Sequence, residues 1–65
     1  MAANQAIRDE VKRARLFTAD VAAELNIATS TLYARLQREL SDDQRREIYQ
    51  AIDRAAEKRE AARQM

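Results

Sequence analysis

The chain reads as all-α: a four-helix compact domain that contains a helix-turn-helix and ends in a longer helix. Three observations predict this. Apolar residues recur at i, i+3 and i+4 in four separate stretches, the spacing of helices that each bury one face. Asn26 interrupts that pattern in a chain with no Gly and no Pro, and Asn is one of the few other residues that accepts the left-handed conformation of a helix end. Ser41 and Gln44 stand three apart with Asp42 and Asp43 between them, a capping box whose acids complement the helix dipole.

Residues 4–15 place Ile7, Val11 and Ala14 on one face of a first helix, with Asn4 as its expected N-cap and Asp9 and Glu10 each within a turn of Arg13. Thr18 is expected to cap a second helix carrying Val21, Ala22 and Leu25, with Phe17 before it in a staple-like contact to Ala22. Asn26 ends that helix, and Ile27 turns inward from the connector. A third helix starts near Ala28 or Thr29 and carries Leu32, Leu36 and Leu40 at successive i+4 positions as core. The fourth begins at about residue 42, and its apolar arc comprises Ile48, Tyr49, Ala51, Ile52, Ala55 and Ala56. Beyond about residue 57 only small apolar residues remain, so the tail is expected to fray in a lone monomer.

All 65 residues make one domain, and fourteen of the thirty apolar residues are Ala. So small a supply of bulky side chains makes a single core marginal and favours a partner chain or ligand. Cys and His are absent, which removes thiolate and imidazole metal ligands, the Cys nucleophile and the usual general base. The expectation is therefore a binding protein rather than an enzyme, with no cofactor and no metal. No apolar run reaches the roughly 18 residues of a membrane span, so a soluble, cytoplasmic protein is expected. Net charge is only +1, yet ten of the twelve basic residues are Arg. The Arg fork suits phosphate and base contacts, although Arg usage also follows genome composition.

Residues 18–38 hold the order Val21, Ala22, Leu25, Asn26, Ile27, Leu32. Two helices crossing steeply over a tight turn need a small residue where they touch, here Ala22, and apolar anchors before, within and after the turn. The string TADVAAELNIATSTLYARL (18–36) resembles the helix-turn-helix DNA-binding proteins of the phage repressor and Cro-like type, particularly small regulators of phages and mobile elements. In that family a small polar residue opens the first helix of the pair, Ala stands fifth, Gly ninth, and a small-polar run opens the recognition helix. Asn26 replaces the Gly here, and Ala28 replaces a capping Ser or Thr, so Thr29 is expected to cap the third helix one residue later. Asp20 lies near the family's phosphate contact.

The resemblance implies that the third helix enters the major groove of double-stranded DNA with the face opposite Leu32 and Leu36. At about 100° per residue that face holds Ser30, Ala34, Gln37 and Arg38, with Thr31 and Tyr33 at its edges. Gln37 suits adenine, Arg38 guanine or a phosphate, Ala34 a thymine methyl, and Thr18, Thr29 and Ser30 phosphate oxygens, with Arg13 and Arg15 as further backbone contacts. The hydroxyls of Thr29, Ser30 and Thr31 equally satisfy backbone donors at a helix start, and Tyr33 equally suits packing over the core with its hydroxyl in water.

The arc of the last helix spans about 160°, wide for a helix with one neighbour. Tyr49, Ile52 and Ala56 are therefore expected to form a twofold dimer that sets two recognition helices roughly 34 Å apart. The expected function is that of a small dimeric transcriptional regulator, repressor-like. The rivals are a protein-interaction module or antirepressor, which Asp20 and Glu24 favour, and an architectural or recombination accessory protein.

Overall fold

Two short helices, α1 (Gln5–Arg13) and α2 (Thr18–Glu24), precede α3 (Thr29–Leu36) and the long α4 (Asp42–Arg63). The computed structural model describes residues 4–63, with no strand among them. Their core joins Ile7 of α1, Val21 and Ala22 of α2, Leu32 and Leu36 of α3, and Ile48, Ala51, Ile52 and Ala55 of α4. Leu16 and Leu40 enter it from connectors. Among the described residues no polar or charged residue is buried, and no helix is long and apolar enough to cross a membrane.

Each of the first two helices ends by the same device. Asn26 takes φ 59°, as expected of a residue doing a glycine's work, and its N–H donates to the Ala23 carbonyl at 3.1 Å while the Ile27 N–H donates to Ala22 at 3.0 Å. This double bond pattern satisfies carbonyls that a helix end leaves open. Arg15 repeats it after α1, with φ 58°, Arg15 N–H to Lys12 at 2.9 Å and Leu16 N–H to Val11 at 3.0 Å. Arg has no preference for that conformation, so this second break was not anticipated.

The helix starts differ from the sequence reading at three places. Asn4 makes no side-chain cap to its own helix; its Nδ2 donates instead to the carbonyls of Leu36 (3.1 Å) and Arg38 (2.6 Å), closing the end of α3. Phe17, not Thr18, occupies the cap position of α2, and its N–H donates to Asp20 Oδ2 at 2.8 Å. Asp20 is thus a capping acid of its own helix. Ala28 caps α3 with no side-chain bond; its carbonyl accepts from Leu32 N–H at 3.1 Å, so Thr29 is the first helical residue and not a shifted cap.

The Ser41 box forms as expected, with Ser41 N–H to Gln44 Oε1 at 3.0 Å and Gln44 N–H to Ser41 Oγ at 3.2 Å. Two further expectations are corrected. Phe17 is 70% exposed and staples nothing, because α2 turns its buried face toward α3 and α4. Only Glu10 pairs with Arg13, at 2.6 Å, while Asp9 accepts from Gln5 at 2.9 Å. The last helix runs on to Arg63, and its second half bonds to α2 through Lys58 and Glu24 at 2.7 Å.

Candidate functional site

α2 and α3 pack against each other across the Asn26 turn, and α3 turns Leu32 and Leu36 into the core. Ser30, Thr31, Tyr33 and Ala34 consequently face solvent, while Thr18 and Thr29 are half-buried at their helix starts. Gln37 and Arg38 are exposed too, but α3 ends at Leu36, so both lie beyond the helix instead of on its face. The tightened turn there, with Gln37 N–H to Ala34 at 3.3 Å and Arg38 N–H to Arg35 at 3.1 Å, is held by Asn4, a partner far away in sequence.

Both acids of α2 are answered by α4: Glu24 meets Arg54 Nε at 3.3 Å and Lys58 Nζ at 2.7 Å, and Asp20 has Arg59 Nη1 at 3.9 Å. The hydrogen bond from Lys58 holds the Glu24 carboxyl below its ordinary value; partial burial opposes this, and Arg54 adds to it. Arg13 is pushed further up by its bond to Glu10. In contrast Arg8, Lys12, Arg15, Arg35 and Arg38 form no ion pair among the described residues. Of the cations on α1 only Arg13 is paired among the described residues, and the acids that favoured a protein-binding module are both paired with α4.

An open groove of about 630 Å³ runs between α1, the α1–α2 connector and α3. Thr18, Thr29 and Tyr33 line it beside Arg8, Lys12 and Phe17. These last three were missed by the sequence reading. The i, i+4 spacing of Arg8 and Lys12, one position past the apolar stripe of α1, was a readable signal; the exposure of Phe17 was not.

The expected dimer residues fare differently. Ile52 is 2% exposed within the single chain and Ala56 packs against its core, so neither forms a free face; Tyr49 is 36% exposed. The arc of α4 is wide because α1 and α2 both pack on it, which removes the reason for assigning half of it to a second copy. In comparisons with family models, curated proteins and solved structures, nothing matches this chain.

Proposed function

We propose that this protein is a small cytoplasmic transcriptional regulator, repressor-like, that binds double-stranded DNA with α3 in the major groove. One observation carries the reading: the exposed side of α3 adjoins Arg8 and Lys12, which have no ion-pair partner among the described residues, while the acids of the adjoining α2 are held by α4. Unpaired Arg and Lys next to a protruding helix match the anionic backbone that flanks a major groove. In this reading Thr18, Thr29 and Ser30 approach phosphate oxygens, Ala34 a thymine methyl, and Thr31 and Tyr33 the groove edge. Gln37 and Arg38 reach in from the turn that Asn4 secures, toward adenine and toward guanine or phosphate.

Pairing of two copies would set two α3 helices roughly 34 Å apart. Of the three residues expected to pair, Tyr49 is exposed, Ala56 partly buried and Ile52 buried, and sedimentation at high micromolar concentration decides between monomer and dimer.

Titration against random-sequence duplex DNA at two salt concentrations tests the proposal. Affinity should fall steeply with salt, and Arg38→Ala should reduce the logarithmic slope by about one unit if Arg38 holds a phosphate, or relax one base preference if it reads guanine. Binding that ignores salt, or no binding at low salt, refutes the reading.

A further inference from the structure

Beside cations that suit duplex DNA, the groove between α1 and α3 carries an apolar surface that a phosphodiester backbone does not use. Its floor is apolar, from Val11, Leu16 and Leu36, and its rim bears Arg8 and Lys12, neither in an ion pair among the described residues. Arg8 Nε is shielded from solvent and has no acceptor among the described residues. Among the described residues the exposed large hydrophobics are Phe17 (70%), Tyr33 (47%) and Tyr49 (36%), and two of these three meet in this one groove. A phosphodiester backbone offers an apolar ring nothing, whereas an apolar side chain flanked by carboxylates complements both the floor and the rim.

We infer that this groove docks a short acidic segment of a protein partner, one apolar side chain of which seats between Phe17 and Tyr33 while its carboxylates meet Arg8 and Lys12. Its volume of about 630 Å³ holds an anchor side chain together with the residues that flank it. Thr18, Thr29 and Tyr33 belong both to this groove and to the proposed DNA face. Resting on the DNA-binding reading, the inference adds its regulation: partner and duplex exclude each other.

A display library of twelve-residue peptides, each with one fixed Leu, Phe or Trp and randomised flanks, is selected on the whole protein with counter-selection on Phe17→Ala. Phe17 is exposed and caps α2 through its backbone, so circular dichroism should show the variant folded. The expected survivors carry Asp and Glu around the anchor and bind at least ~10-fold more weakly, by fluorescence anisotropy, to Phe17→Ala and to Lys12→Glu. A saturating survivor should also displace a duplex from the wild-type protein. The docking inference is overturned by no enrichment, by survivors without acidic residues, or by equal binding to Phe17→Ala. A Phe17-dependent affinity for single-stranded oligonucleotide, or Phe17-dependent self-association, with no acidic peptide enriched overturns it as well. Selection and anisotropy contain no DNA, so failure of the duplex reading removes only the competition and leaves the peptide result standing.

Discussion

The α1–α2 and α2–α3 connections close with the same pair of hydrogen bonds around a left-handed residue, Arg15 in the first and Asn26 in the second. They differ in what surrounds those bonds. The carbonyl that accepts the longer-range bond belongs to half-buried Val11 in the first turn and to Ala22, 1% exposed, in the second. The last helical residue is Arg13 in the first, paired locally with Glu10, and Glu24 in the second, paired across the fold with Arg54 and Lys58. A carboxylate at a helix C-terminus faces the wrong end of the dipole, so Glu24 depends on α4 for compensation. The hydrogen bonds of a helix stop are thus generic; close packing and cross-fold charge make the second turn the one that orients α3.

Enlarging the close-packed position should break the comparison most. Ala22→Leu is expected to cost about 1–3 kcal/mol by overpacking, since α2 has no space against α3 and α4. Val11→Ala in the first turn should cost no more than about 1 kcal/mol, the loss of a half-buried side chain. Urea unfolding of the two variants measures the difference, and equal losses would mean that the second turn is packed no more tightly than the first.

A smaller effect separates the left-handed residues. Arg15→Gly should raise stability by about 1 kcal/mol by relieving a conformation that Arg disfavours, whereas Asn26→Gly should gain only about a few tenths. Equal gains in thermal unfolding would show that Asn26 has no advantage over Arg at such a site.

The smallest expected effect is on acid stability. Glu24 has its carboxyl pKa lowered in the folded chain by Lys58 and then Arg54. Its ion pairs therefore contribute fully above the unfolded pKa, and that contribution is lost as pH falls through the lower folded value. Replacing both Arg54 and Lys58 by Ala should move the Glu24 carboxyl titration, followed by NMR, upward and flatten this part of the acid unfolding curve. A titration midpoint unmoved by the double change would contradict the cross-fold pairing.

Readability from sequence tracks how local each interaction is. The left-handed Asn26 and the Ser41 box were legible because their partners lie within a few residues and their residue types have a conformational preference. Arg15 was not, since Arg announces no turn. Asn4 does stand at the N-cap of α1, but the use of its side chain was not legible because its acceptors, Leu36 and Arg38, are over thirty residues away. On the candidate site, the exposure of Ser30, Thr31 and Ala34 followed from the periodicity of Leu32 and Leu36. The displacement of Gln37 and Arg38 off the end of α3 did not, because it depends on where Asn4 terminates the helix.

By itself the sequence determined four helices, their order, the Asn26 turn and the inward leucines of α3, all consequences of short-range spacing and residue preference. Tertiary structure alone decided that α4 turns Ile48, Ala51, Ile52 and Ala55 to its neighbours while Tyr49 stays exposed, that the acids of α2 are neutralised by α4, and that Phe17 and Tyr33 meet Arg8 and Lys12 in one groove. Each of those outcomes depends on which faces of distant helices meet. No local propensity encodes that choice, because it is made by burying the largest apolar surface available to the chain as a whole.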